Sequence, residues 1–236
     1  MLLGGLQKTT LIDFPGRVAC TVFTIGCNFR CPFCHNKDLV SLKNFKKTKL
    51  KLISEDYFFK FLEKRKKILD GVCITGGEPT IWQDLADFCE KIKDLGLEVK
   101  LDTNGSNPKM LKELIEKKLI DFIAMDIKTV FEDYSQAIKV ELLVPIESIK
   151  LILQSGLEYE FRTTVVPGIH DKKNLVCLAK QLKRLKADLN WVWQQFQPRN
   201  CLDLAYLKIK PYNSKEMEAI LADVGKILPK TKIRGI

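Results

Sequence analysis

At 236 residues, with 46% hydrophobic and 29% charged residues, the chain has the composition of a globular protein and the length of one α/β domain, 1–236. No apolar run approaches the roughly 18 residues a membrane span needs, so a membrane protein is not expected. The net charge of +10 is mostly lysine, concentrated in Lys43, Lys46, Lys47, Lys49 and Lys51 and in Lys64, Arg65, Lys66 and Lys67. Such runs are read first as a solvated face; no helix-turn-helix or RNA-binding motif directs them to nucleic acid, though an acidic protein partner could use them.

In chain order, residues 1–24 predict two strands, Leu2 to Ile12 and Val18 to Thr24, joined by a turn at Asp13-Phe14-Pro15-Gly16. A basic connector runs to about Ile53, and Ser54 caps a predicted helix with Phe58, Phe61, Leu62, Arg65 and Ile68 on one face. Gly71 to Thr75 reads as a buried strand, followed by a helix from about Trp82 that Gly96 stops as its C′ residue. Leu97 to Leu101 is a strand, and Asn107-Pro108 an N-cap with proline at the first helical position. Asp121 to Ile127 (strand), Pro145 to Gln154 (helix) and Tyr159 to Val166 (strand) continue the rhythm. A helix capped by Asp171, a strand from Trp191 to Phe196 and a last helix from Ser214 complete it. Strands alternating with helices imply a parallel sheet with right-handed crossovers. The count is about six β/α units, too few for a closed eight-stranded barrel.

The stretch Gly26-Cys27-Asn28-Phe29-Arg30-Cys31-Pro32-Phe33-Cys34-His35-Asn36 puts three cysteines at C-x3-C-x2-C spacing directly after the second strand. Thiolates suit zinc or iron–sulfur clusters, and three of them leave one coordination position for something else. A structural zinc site with His35 would require neighbouring residues to reach one ion. Covalent haem matches Cys31-Pro32-Phe33-Cys34-His35 but normally needs export, and Met1-Leu2-Leu3-Gly4-Gly5 lacks the basic start of an export signal. A disulfide is uncommon in a reducing compartment. An iron–sulfur cluster is favoured, in a cytoplasmic setting. Cys20, Cys73, Cys89 and Cys177 lie in apolar patterns and are expected to be buried; Cys201 has no evident role.

The ends of predicted strands are where a β/α protein places its chemistry. The strand at 71–75 ends in Gly76-Gly77-Glu78-Pro79, where paired glycines allow close backbone approach to a ligand and Pro79 keeps Glu78 extended. The next two end in Asp102-Thr103-Asn104-Gly105 and in Met125-Asp126-Ile127-Lys128. Both could be ordinary turns and salt bridges, but two strand-end aspartates facing one cavity repel unless a cation or donor lies between them. Arg162 could grip a carboxylate as a fork or form a structural ion pair.

The cysteine loop resembles that of radical S-adenosylmethionine (SAM) enzymes, and its full string resembles the activating enzymes of glycyl-radical enzymes. The opening Gly4-Gly5-Leu6-Gln7-Lys8-Thr9-Thr10-Leu11-Ile12-Asp13-Phe14-Pro15-Gly16 resembles the activating protein of anaerobic (class III) ribonucleoside-triphosphate reductase. The resemblance implies a partial (β/α)6 barrel of the radical SAM type with an N-terminal strand extension. It implies that Cys27, Cys31 and Cys34 hold a [4Fe–4S] cluster whose fourth iron takes SAM. Phe33, His35, Asn36, Gly76, Gly77, Glu78, Asp102, Asp126, Ile127 and Lys128 would then line the SAM site. Glu78 would meet the methionyl amino group, and Asp102 and Asp126 could hold a monovalent cation near the SAM carboxylate. Reductive cleavage would give a 5′-deoxyadenosyl radical that takes hydrogen from a glycine of the partner enzyme, with a flavodoxin- or ferredoxin-like electron donor. No side chain need act as acid or base, in keeping with only two histidines, His35 and His170. Gln194, Gln195 and Gln197 stand where pyruvate formate-lyase activating enzyme carries a histidine, which argues against that partner. Activation of another glycyl-radical enzyme, small-molecule radical SAM chemistry of the deazaguanine-synthase kind, and a zinc-stapled nucleic-acid-binding module are the alternatives.

Overall fold

The computed structural model describes residues 1–139 and 145–235. In chain order its elements are β1 (Leu3–Thr10), β2 (Ala19–Thr24), α1 (Leu42–Phe45), α2 (Glu55–Arg65), β3 (Gly71–Gly76), α3 (Leu85–Asp94), β4 (Glu98–Thr103) and α4 (Pro108–Glu116). They continue as β5 (Phe122–Asp126), α5 (Tyr134–Ile138), α6 (Ile146–Gln154), β6 (Glu158–Val165), α7 (Lys172–Leu185), β7 (Trp191–Gln195), α8 (Ser214–Gly225) and β8 (Lys232–Arg234). The strands follow one another in sheet order β1 to β8. β1 and β2 pair antiparallel, whereas β2–β3, β3–β4, β6–β7 and β7–β8 pair parallel. The α/β expectation therefore holds: β2 to β7 supply the six expected strands, and β1 is the N-terminal extension.

The described chain divides into two compact units. One comprises Met1–Asn28, Asp38–Ala124 and Glu147–Glu158; the other comprises Phe29–Lys37 and the described parts of Met125–Ile146 and Tyr159–Ile236. In the first unit, the helices form for local reasons. Ser54 accepts from Tyr57 N to cap α2, Asn107 accepts from Met110 N to cap α4, and Pro108 follows at the first helical position. The α3 stripe Leu85, Phe88, Cys89 and Ile92 is buried, each large apolar side chain contributing about 1.5–3 kcal/mol. Gly96 adopts φ +78° and ends that helix as expected.

Three readings of this unit need correction. α2 stops at Arg65, so Ile68 is 59% exposed and Leu69 takes the core position. The segment from Trp82 is not yet helix: a 3-10 turn, Pro79–Ile81, precedes α3, and the Trp82 indole donates to the Ile25 carbonyl at 3.1 Å. β1 ends at Thr10, leaving Leu11 and Ile12 exposed.

In the second unit, Asp171 accepts from Asn174 N to cap α7, and Asn213 with Glu216 forms a capping box on α8. α7 buries Leu175, Leu178, Ala179 and Leu182, which puts Cys177 on its outer face. Cys177 is accordingly exposed, against the expectation, whereas Cys20, Cys73 and Cys89 are buried. β8 was not foreseeable from its pattern, since Lys232-Ile233-Arg234 holds one apolar residue. It extends the sheet from β7, and Arg234 grips the buried Glu160 carboxylate at 2.6 and 3.1 Å.

Candidate active site: two sets of strand-end residues

In the first unit, the loop leaving β2 and the loop leaving β3 are sewn together through their backbones. Gly77 N donates to Thr24 O at 2.9 Å and Glu78 N to Gly26 O at 2.7 Å. A Cβ on Gly77 would meet Gly26 O at 1.9 Å, and one on Gly76 (φ +117°) would meet Thr24 N at 2.4 Å. The close approach that these glycines permit is thus to the start of the cysteine loop. Cys27, next along, is tied by its own N–H to Val40 O at 3.0 Å, and Asn104 Nδ2 points at its sulfur from 4.0 Å.

Glu78 is 1% exposed, and its carboxylate is committed to this chain. Oε1 accepts from Thr80 N (3.1 Å), Thr80 Oγ1 (2.6 Å) and Thr103 Oγ1 (2.7 Å); Oε2 accepts from Asn104 N (2.6 Å). Burial pushes its pKa up, against these bonds. The side chain therefore staples the β3 and β4 loops together. Asp102, at the end of β4, pairs with the Lys100 ammonium two residues earlier on the same strand face. Lys100, itself 1% exposed, also lies 3.8 Å from Cys73 Sγ.

In the second unit, Cys31 and Phe33 are buried and Cys34 half-buried, in a turn closed by Cys34 N donating to Cys31 O at 3.1 Å. Asp203 N donates to Pro32 O at 2.9 Å and Asn200 Nδ2 to His35 O at 2.9 Å, so the segment after β7 braces the loop. The His35 ring stacks on Phe196 at 5.7 Å, and its buried Nε2 has no hydrogen-bond partner among the described residues. Asp126 receives Arg162 Nε at 2.9 Å and Lys128 Nζ at 2.8 Å. Burial alone would raise its pKa, but the charges of Arg162 and Lys128 outweigh that and hold it well below the usual carboxylate range. Arg162 thus takes the ion-pair option. Ile127 is buried, its N–H donating to Arg162 O at 2.7 Å. Burial works to lower the Lys128 pKa; Asp126 and Cys31 nearby raise it, so the ammonium is retained beside the Cys31 thiol.

Burial pushes the Cys34 thiol up, partly offset by a backbone donor from Asn36 and by Lys128. His170, named in the sequence only as one of two histidines, is fully buried: Nδ1 accepts from Val166 N at 3.0 Å, which leaves Nε2–H to donate to Lys128 O at 2.8 Å. Burial lowers its pKa to about 4, so it stays a neutral brace behind Lys128. Lys100, Asn104, Phe196 and His170 were not singled out as site residues. Asn104 lay inside a quoted strand-end segment, and Lys100 had the two-residue spacing from Asp102 that gives one strand face.

The donor set suits an iron–sulfur cluster by its chemistry: Cys27, Cys31 and Cys34 lie outside any disulfide, and the buried His35 Nε2 has no hydrogen-bond partner among the described residues. Among the described residues, no three His, Cys, Asp or Glu side chains are gathered as a single-ion site. No described helix is long and apolar enough to cross a membrane.

Comparison with known proteins gives four findings. Residues 21–176 match the radical SAM superfamily. A Methanocaldococcus jannaschii protein provisionally named as a glycyl-radical enzyme activating enzyme (MJ1227) is 33% identical over 97% of this chain and 92% of its own length. The pyruvate formate-lyase-activating enzyme of Clostridium pasteurianum is 28% identical over 77% of this chain and 76% of its own. Among solved structures, Streptococcus suis SuiB bound to S-adenosylmethionine aligns with a TM-score of 0.64 at 16% identity, over 90% of this chain and 46% of that one, a likeness of fold.

Proposed function

This chain belongs to the radical SAM superfamily, an enzyme family that uses a [4Fe–4S] cluster and SAM, and we propose that it activates a glycyl-radical enzyme, anaerobic (class III) ribonucleoside-triphosphate reductase in particular. The observation that carries the activase reading is the relation to MJ1227, sustained over 97% of this chain rather than over the cysteine loop alone. The choice of reductase rests on the opening segment Gly4 to Gly16 and on the glutamines at Gln194, Gln195 and Gln197. A pyruvate formate-lyase type of partner is the second reading, favoured by the Clostridium pasteurianum relative.

Bound together, the cluster and SAM would supply one-electron cleavage of the sulfonium and hydrogen-atom abstraction. Cys27, Cys31 and Cys34 would hold the cluster. The Gly26–Glu78 stitch would fix Cys27 beside the Gly76-Gly77 turn, where the methionyl amino group would lie. Lys128 would offset the negative charge of cluster and substrate, with Asp126, Arg162 and His170 holding it in place. Phe33 and His35 would form the adenine wall, and Asn36 would continue it. The buried His35 Nε2, without a hydrogen-bond partner among the described residues, would offer its lone pair to an exocyclic amine. The exposed lysines of 43–51 would receive an acidic flavodoxin- or ferredoxin-like donor in the cytoplasm.

The test is anaerobic reconstitution with iron and sulfide, then dithionite, SAM and each candidate partner, with electron paramagnetic resonance for a glycyl doublet. The doublet is expected on the class III reductase and not on pyruvate formate-lyase; the reverse pattern would select the second reading. Turnover of a small molecule with no protein partner would defeat both.

A further inference from the structure

Cys201 is 0% exposed, yet it lies in the loop after β7 rather than in the apolar stripe of a helix or strand, where a buried thiol serves as a small hydrophobe. Its neighbours show what it faces. Asp203 N donates to Pro32 O and Asn200 Nδ2 to His35 O, both at 2.9 Å, so the two segments run antiparallel within the second unit. Counted inward from either bond, Cys201 falls opposite Cys34: two residues in from Asp203 and Pro32, one in from Asn200 and His35. Ring contacts close the pairing on both sides, His35 on Phe196 at 5.7 Å and Phe33 on Tyr206 at 6.4 Å. The electrostatics agree: burial pushes the Cys201 thiol up, and a thiolate at Cys34 pushes it further. Residues opposed in an antiparallel pairing lie about 4.5–5.5 Å apart at Cα, inside the roughly 4.4–6.8 Å that a disulfide spans. The two thiols differ in access. Cys34 is half-buried and Cys201 enclosed, so a small oxidant meets Cys34 first.

We propose that Cys201 is the resolving thiol of Cys34: when no cluster holds Cys34 and a peroxide reaches it, the pair closes as a reversible disulfide. The inference uses the cluster reading above only to say when Cys34 is free; the bridge itself needs no iron. With hydrogen peroxide as oxidant the chemistry balances. The Cys34 thiolate attacks one peroxide oxygen, an S–O bond forms, the O–O bond breaks and hydroxide leaves, giving the sulfenic acid. The Cys201 thiolate then attacks the Cys34 sulfur, an S–S bond forms and the S–O bond breaks, releasing a second hydroxide. The two hydroxides take up the two thiol protons, so two thiols have given up two electrons and one peroxide has become two waters. Without Cys201, Cys34 is left to the next step of the ladder, sulfinic acid, which a thiol reductant does not reverse. Bridges of this kind in a reducing compartment are transient and redox-sensing.

The experiment treats the unreconstituted full chain with hydrogen peroxide under nitrogen, blocks the remaining thiols with N-ethylmaleimide in urea, and maps unreduced tryptic peptides by mass spectrometry. The expected product joins peptide 31–37 to peptide 200–208, with fragmentation placing the bridge on Cys34 and the maleimide on Cys31. Dithiothreitol should remove the bridge, and iron and sulfide uptake on reconstitution should then return to the level of untreated chain. Cys201→Ser is expected to lose the bridge, to accumulate sulfinic acid at Cys34 and to lose that recovery, with its circular dichroism unchanged. A bridge between Cys31 and Cys34 with the maleimide on Cys201 overturns the inference. So does wild type that forms sulfinic acid at Cys34 as readily as Cys201→Ser. If Cys201→Ser fails to fold, the wild-type peptide map decides alone. A chain that forms the Cys34–Cys201 bridge but takes up no iron upholds this inference and defeats the cluster reading instead.

Discussion

Glu78→Gln separates two roles that a carboxylate behind a cysteine loop can have. Glu78 accepts four hydrogen bonds, three on Oε1 and one on Oε2, at 2.6–3.1 Å. Glutamine keeps the volume but offers one acceptor oxygen and one NH₂ group. Turned one way, its oxygen serves Thr80 and Thr103 while its NH₂ faces the Asn104 N–H, donor against donor. Turned the other way, the threonine hydroxyls can rotate to accept, but the Thr80 N–H is stranded. Either way one buried backbone donor loses its partner, at about 1–3 kcal/mol, and the surviving bonds lose their charge assistance. Relief from burying a charge offsets part of this, so a net loss of about 2 kcal/mol is expected. For a chain of this size that lowers Tm by roughly 4–8 °C. The assay is thermal unfolding of the unreconstituted chain followed by circular dichroism, paired with SAM binding by the reconstituted one. A Gln variant that melts with wild type but no longer binds SAM would show that the carboxylate meets SAM directly and would refute the staple.

Other expectations follow from the same geometry. His170 has a pKa lowered by burial to about 4, against 6.5 when unfolded; the unfolded state takes up the proton first. Its contribution is complete above pH 6.5 and lost as pH falls through about 4, a change of about 3 kcal/mol that urea titrations across this range should show and His170→Asn should flatten. Asp126, held low by Arg162 and Lys128 despite its burial, contributes stability above its unfolded value of 3.8 that fades below it. Asp126→Asn should make the most acidic limb of the same titration shallower. Gly77→Ala should cost about 3 kcal/mol, since its methyl would meet Gly26 O at 1.9 Å, and proteolysis near the cysteine loop should report the displacement. Cys31→Ala should keep the circular dichroism of wild type while iron and sulfide after reconstitution fall to background; retained iron would reject the ligand assignment.

What could be read in the sequence was whatever repeats. Alternating β/α patterning gave the elements, caps such as Asn107 and Asp171 fixed helix starts, and strand ends marked Glu78, Asp102 and Asp126. What could not be read depends on partners distant in the chain. The partners of the Glu78 carboxylate could not be read, because Thr103 and Asn104 are 25 and 26 residues away. β8 exists because of β7 and Glu160, not because of its own three residues. Helix geometry, rather than hydrophobicity, decided Cys177: an apolar-looking residue at the wrong angle faces water.

That outward thiol has a practical meaning. Were iron to occupy Cys27, Cys31 and Cys34 as proposed, then with Cys20, Cys73, Cys89 and Cys201 buried a maleimide would have one open target, on the outer side of α7. A spin label placed there needs no engineering of the native sequence. Its distance to a second label on a candidate glycyl-radical enzyme would test whether, and how, the two proteins meet.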